Sequence, residues 1–308
     1  MTRRRRERTR GDLYEEVTAR IIAQMEEGTV PWVQPWTSKG PGSPALGLPQ
    51  NAATRRPYSG INILLLWGAA QEQERESQLW LTFKQALALG GAVRKGEKGT
   101  TIVYADRFTP QREKQKAEES GGAAREVAFL KRYTVFHVDQ CDGLPDDAVT
   151  GRVPLPPRQI EPDAERLIEA TGADFRVGGD RAYYVPSQDF IQVPPQAAFR
   201  DQINYYRTCF HELGHWTGHA TRLARDLTTN FGTKDYAREE LVAEMASAFL
   251  CAEMGIVPTV RHADYLASWL DILREDKRAI FRAASLASKA ADFVLAFRTP
   301  QETDQRAA

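Results

Sequence analysis

Two histidines four residues apart, with a glutamate directly after the first, dictate what one stretch of this chain must become. In CFHELGHWTGH, Cys209 to His219, the side chains of His211 and His215 share a face once the segment is an α-helix. The residues before it, QAAFRDQINYYRT, read as the start of that helix. Both imidazoles can then reach one zinc ion. Glu212 lies one residue round the helix, too far off-axis to ligate but placed to take a proton from water at the metal. Zinc lowers the pKa of bound water to about 7 and polarises a scissile carbonyl, while a glutamate in this position returns the proton to the leaving amine. This is the HExxH pattern of zinc metallopeptidases. The bland alternative is a helix whose histidines and glutamates form an ordinary polar face, since so short a motif also arises by chance.

A zinc site needs a third protein ligand. His219 continues the four-residue spacing, but on a straight helix it lies roughly 12 Å along the axis from His211. Gly218 can end the helix there, leaving His219 as a cap or rim residue. A second source is YAREELVAEMASAFLCAEMG, where Leu241, Met245, Ala248 and Phe249 form one buried face and Glu240 and Glu244 share another, one turn apart. This segment resembles the glutamate helix of gluzincin peptidases. By that resemblance Glu240 is the ligand and Glu244 orients a histidine by accepting its free N–H; on sequence alone the two roles can be exchanged. Three protein ligands rather than four suit an open, water-bearing metal. Ahead of the motif, ADFRVGGDRAYYVPSQDFIQVPP reads as an antiparallel hairpin or meander, and the strands of 183–193 as an edge for an extended peptide. Tyr236 and His262 suit oxyanion stabilisation by residue type only. The C-terminal stretch from Ala263, with Leu266, Leu270, Leu273 and Ile280 recurring, reads as helix packed on this domain.

A chain of 308 residues has room for two domains. The Pro-rich segment from Gly143 to Pro162 separates them, since proline removes backbone donors and disfavours helix. The expected organisation is α+β: a basic tail at 1–10, a mixed first domain at 11–144, a linker at 145–162 and the metal domain at 163–300. Net charge is zero, but residues 1–150 carry 22 Lys/Arg against 19 Asp/Glu, and residues 151–308 carry 19 against 22. The halves have different electrostatic tasks. Cys141, Cys209 and Cys251 are far apart, which suits free thiols in a reducing compartment better than a disulfide framework. No apolar run approaches the roughly 18–20 residues that span a bilayer, and the tail does not read as a secretory signal, so the cytoplasm is the expected location.

In the first half, Leu13, Val17, Ile21 and Met25 recur at helical spacing, with Asp12 to cap the start and Gly28 to end it. Further helices are expected over GINILLLWGAAQEQ and LTFKQALALGG. Two strand-like runs, TTIVYADRF and AFLKRYTVFHV, flank a charged insertion at 111–127. Polar, basic and aromatic residues gather at the joints: Trp32 and Trp36 on a Pro-stiffened loop; Asn51, Thr54, Arg55, Arg56, Tyr58, Ser59 and Asn62 in NAATRRPYSGIN; Arg94, Lys95 and Lys98 in RKGEKG. Cations that track phosphates and exposed rings that stack on bases are what a groove for single-stranded nucleic acid needs. The alternative makes the tryptophans core anchors and the charges a solvated surface.

The blocks PWVQPW, NAATRRPYSGINILLL, WLTFKQALALGGAVRKGEKGTTIVY, YTVFHVDQCDGLP, FHELGHWTGHATRL and YAREELVAEMASAFLCAEMGI, in this order from about Leu13 to Ile256, resemble the ArdC-type antirestriction proteins. The first half is also similar to the N-terminal part of TraC-type plasmid primases. The resemblance implies a domain that binds single-stranded DNA without sequence preference, joined to a zincin-like metallopeptidase domain holding Zn2+, or another divalent ion such as Mn2+. It implies carriage on conjugative plasmids and protection of incoming DNA from host restriction, with a protein substrate the sequence does not name. Gly214 stands where alanine is frequent in the pattern; glycine weakens a helix interior by about 1 kcal/mol without touching a ligand. Two other readings use the same residues: a stoichiometric DNA-masking protein with a non-catalytic metal site, and a zinc peptidase with no nucleic-acid role.

Overall fold

The computed structural model describes residues 12–28, 30–32, 47–73, 75, 77–108, 127–149, 162–199, 201, 203–227, 233–257 and 265–298. The basic tail, Trp36, His262, nearly all of the charged insertion and most of the Pro-rich linker lie outside the described residues. The architecture is α+β in two compact units, one of residues 49–151 and one combining residues up to 48 with those from 152 onward.

The 49–151 unit is built on a four-stranded sheet. Its strands are β1 (Gln50–Asn51), β2 (Leu79–Leu81), β4 (Thr100–Phe108) and β5 (Val127–His137), in the order β1-β2-β5-β4. The two runs flanking the insertion pair antiparallel from Thr100↔Val135 to Phe108↔Val127, as their alternation predicts. Helix α2 (Ile61–Glu72) lies on this sheet. It is apolar nearly all round, and Leu66, Ala69 and Ala70 pack against Trp80, Ile102 and Val135. Helix α3 (Phe83–Ala88) is shorter than its pattern suggests, because Leu79–Leu81 is strand. Thr82 then begins α3 with a capping box closed by Gln85. Strand β3 (Ala92–Val93) pairs with β6 (Cys141–Asp142), and one helical turn, α4 (Asp146–Val149), follows.

Helix α1 (Leu13–Glu26) has the predicted cap, the Asp12 carboxylate accepting from the Tyr14 N–H at 3.0 Å. It packs with the helices of the second half. The Thr18 hydroxyl donates to the Lys277 carbonyl at 2.7 Å, Tyr14 meets Phe281 edge-on at 4.7 Å, and Glu26 pairs with Arg274. The domain expected to begin at residue 11 therefore holds α1 in sequence but not in packing. The reason is the apolar stripe of Val17, Ile21 and Met25, which is buried in the larger unit.

That unit continues with α5 (Pro162–Ala170) and a three-stranded sheet of β7 (Asp174–Val177), β8 (Tyr183–Val185) and β9 (Phe190–Val193). The order is β7-β9-β8: β8 and β9 form the antiparallel hairpin that was one of the two expected forms, while β7 pairs parallel with β9 through a crossover, so the meander is not formed. FIQV is the most buried of the three segments and takes the centre, which leaves the more exposed β7 and β8 at the edges. Helices α6 (Ile203–Trp216) and α7 (Lys234–Glu253) pack side by side, and α8 (Leu266–Glu275) and α9 (Ala279–Leu295) cover α7. The C-terminal stretch thus packs on this domain, but as two helices broken at Asp276. Cys209 and Cys251 are buried free thiols, and Cys141 is a half-buried one. No helix among the described residues is long and apolar enough to cross a membrane.

Candidate metal centre and nucleic-acid face

Helix α6 carries His211, Glu212 and His215 inside the unit; His211 and Glu212 are buried and His215 is nearly so. Helix α7 brings Glu240 opposite. Three donors converge: the Nε2 atoms of His211 and His215 lie 3.2 Å apart, and the Glu240 carboxylate oxygens lie 3.5 Å and 3.4 Å from them. Donors bound tetrahedrally at zinc's usual bond lengths of about 2.0–2.1 Å stand ~3.3 Å apart, so the spacing fits a divalent ion. Among the described residues, His211, His215 and Glu240 form the one group with this arrangement.

The surroundings fix which nitrogen is offered. His215 Nδ1 faces Glu239 Oε1 at 3.2 Å, so its proton belongs there and the Nε2 lone pair points at the other donors. Glu239 is held by Arg225, whose Nε and Nη2 reach its two oxygens at 3.0 and 2.8 Å. The same guanidinium donates to the Thr217 hydroxyl at 2.8 Å and to the Gly214 carbonyl at 2.6 Å, tying the end of α6 to α7. On the other histidine, Glu244 Oε1 lies 3.8 Å from His211 Nδ1. Glu240 and Glu244 thus sit on different sides of the imidazole pair, with Glu240 among the inward nitrogens. Glu239, which the sequence reading passed over, holds the outer nitrogen of His215; a run of adjacent glutamates in a helix carries no signal of which one faces inward.

Charge follows the same geometry. Burial alone pulls the imidazoles down in pKa, yet Glu240 at both and Glu239 at His215 outweigh it, and both are raised, His215 well above its ordinary range. Burial pushes the Glu240 carboxyl up, and the two imidazoles more than reverse this, holding it far below the carboxylate range. Tyr236, one turn before Glu240, has its hydroxyl pKa raised by burial and by that carboxylate. His219 lies past the helix end, where its Nδ1 accepts from the Thr221 N–H at 3.2 Å, so it caps the turn as expected for a rim residue. Gly214 has a packing role: a Cβ there would stand 3.1 Å from Ala243 Cα, so its absence lets α6 and α7 approach closely.

The residues singled out for nucleic acid divide into three groups. Trp32 is fully buried and meets Trp269 edge-to-face at 5.5 Å. It is a core anchor of the larger unit, which corrects its reading as a stacking platform. Asn51, Tyr58, Asn62 and Arg94 have structural work. Asn51 Oδ1 accepts from the Ala53 and Thr54 N–H groups, and its amide meets Gln85 at 3.1 Å. Tyr58 packs half-buried against the sheet core. The Asn62 amide pairs with both backbone groups of Val103 at 2.8 and 2.9 Å, closing the free edge of β4. Arg94 joins Glu97 and Asp142. Thr54, Arg55, Arg56, Ser59, Lys95 and Lys98 are exposed, with Arg55 left-handed at φ 57°.

Residues 162–286 match the zincin-like metallopeptidase family, and residues 11–136 match the N-terminal domain of the anti-restriction factor ArdC. The protein y4eC of Sinorhizobium fredii is 40% identical over 99% of this chain and 98% of its own length. A DNA primase TraC of Escherichia coli is 41% identical over 95% of this chain, which spans only 28% of that primase. The crystal structure of the antirestriction ArdC protein from plasmid R388 superposes with a TM-score of 0.77 in its metal-free form, at 40% identity, covering 93% of this chain and 97% of that one. Its Mn(II)-bound form gives a TM-score of 0.74 at 41% identity, covering 96% and 98%.

Proposed function

Because the chain belongs to the ArdC family of antirestriction proteins, we propose that it binds single-stranded DNA through residues 49–151 and hydrolyses peptide bonds at the His211–His215–Glu240 centre, protecting incoming DNA from restriction. The observation that carries the catalytic half is the convergence of these three donors within 3.2–3.5 Å, with Glu212 on the same helix. Zn2+ suits two imidazoles and a carboxylate, and Mn2+ is the ion in a related crystal structure.

A divalent ion held there supplies Lewis acidity toward a scissile carbonyl and toward water. The protein residues do the rest. Glu239 and Arg225 keep His215 turned inward, Glu240 contributes negative charge, and Glu212 takes a proton from the attacking water and passes it to the leaving nitrogen. With three protein donors, such an ion would keep room for water or substrate. The DNA-binding half is supported by the match to the ArdC N-terminal domain, by 40% identity to TraC primases and by the exposed cations Arg55, Arg56, Lys95 and Lys98.

The test measures restriction relief, single-stranded DNA binding and metal content together for the wild type and Glu212→Gln. Loss of relief with DNA and metal binding intact supports peptidase chemistry as the protective activity. Full relief in Glu212→Gln refutes that half and leaves DNA masking as the mechanism.

A further inference from the structure

Nucleic-acid binding without sequence preference needs a ring surface as well as cations. Trp32 is buried in the other unit and Tyr58 is half-covered, so neither offers a full ring face. We propose that Phe83, backed by Phe136, is the base-stacking platform of residues 49–151. The proposal rests on the single-stranded DNA reading above and names a contact within it.

Phe83 opens α3 with 50% of its surface exposed, and its ring meets that of Phe136 edge-to-face at 6.5 Å. A ring held by a second ring is pre-oriented, so a stacking base meets a fixed surface. Cationic segments are linked to the elements that carry this pair by two routes. In one, Gly99 packs against β5 so closely that a Cβ would stand 3.0 Å from Phe136 Cε1 and 2.3 Å from Thr134 Cγ2. The turn carrying exposed Lys95 and Lys98 therefore runs directly up to the Phe136 ring. In the other, the Gln85 amide of α3 is bonded to Asn51 at 3.1 Å, and Asn51 folds the turn that presents exposed Arg55 and Arg56. Lys84, the next residue along α3, is a further exposed cation.

Apolar surface set among cations matches a strand that offers phosphates and bare base faces together; in a duplex the base faces are stacked on one another. Leu87, one turn further and 53% exposed, widens the apolar surface. A protein partner docking on Phe83 and Leu87 is the competing occupant, and the exposed cations of the same unit favour the polyanion.

The test uses the full chain and a fluorescein-labelled oligo-dT strand, titrated at several salt concentrations against wild type, Phe83→Ala, Phe83→Trp and a Lys95→Gln/Lys98→Gln double variant. Phe83→Ala is expected to weaken binding about tenfold or more with the salt slope unchanged, because stacking releases no counterions. Phe83→Trp, which keeps a ring, is expected to retain affinity, showing that loss in the alanine variant is not misfolding. The lysine pair is expected to lower the slope by about 0.7 per charge removed. Wild-type affinity in Phe83→Ala overturns the platform and leaves protein docking as the use of this surface. Absence of binding by the wild type overturns the DNA reading on which the platform depends.

Discussion

Replacing Glu239 with glutamine tests whether the centre is held from outside its donor set. The wild-type carboxylate accepts from His215 Nδ1 at 3.2 Å and from Arg225 at 3.0 and 2.8 Å. A glutamine keeps one acceptor oxygen and turns an NH2 group toward one of these donors. At least one charge-assisted hydrogen bond is lost, each contributing about 1.5–3 kcal/mol, and the Arg225 guanidinium stays buried without its counter-charge. His215 also loses the partner that fixes its inward lone pair, and removing such a partner from a metal-ligating histidine lowers metal affinity by about 10–100-fold. Titration of metal-stripped protein with Zn2+ against a chromophoric chelator, with thermal melting in excess metal and in chelator, reads both effects. The expected result is a 10–100-fold weaker Kd, equal to about 1.4–2.8 kcal/mol, and a correspondingly smaller metal-induced rise in melting temperature. Unchanged affinity in Glu239→Gln would show that Arg225 and Glu239 serve packing alone.

Trp32→Ala is expected to destabilise the larger unit by about 3–5 kcal/mol, read by denaturant unfolding, because it empties the space against Trp269. Its DNA affinity should stay at the wild-type value. Asn62→Ala is expected to cost about 1–3 kcal/mol by leaving the buried groups of Val103 unpaired, again without change in DNA affinity; a selective loss of DNA binding would refute the structural role. The Arg222 hydrogen bond holds the Asp189 carboxyl below its usual range. A depressed carboxyl pKa stabilises above the unfolded value of about 3.9 and loses that contribution as pH falls through the lower folded value. The melting temperature of the wild type should therefore fall more than that of Asp189→Asn between about pH 5 and 3.

What was legible in the sequence had short-range causes. The α6 histidines follow from helix periodicity, the β4/β5 pair from alternation, and the cap at Asp12 from residue type beside an apolar stripe. What was not legible depended on partners far along the chain. Trp32 reads as an exposed loop ring until Trp269 covers it, and Asn62 as a recognition amide until β4 is known to be an edge. Helix phase limits the second ligand helix to a few glutamates, but only the packing of α6 on α7 separates Glu239, Glu240 and Glu244 by the imidazole nitrogen each faces. FIQV is buried because it lies centrally, and strand order in a three-stranded sheet is not written in local pattern.

The packing of α1 makes the chain's modular seams and its folding seams different lines. Residues 49–151 are bounded on both sides by segments of the same larger unit, as an insert is bounded by its host. A fragment cut at the Pro-rich segment to isolate the metal-binding half discards α1 and Trp32, and with them part of that half's core. Removing residues 49–151 leaves both segments of the host in the chain, whereas trimming from the N-terminus dismantles the host first.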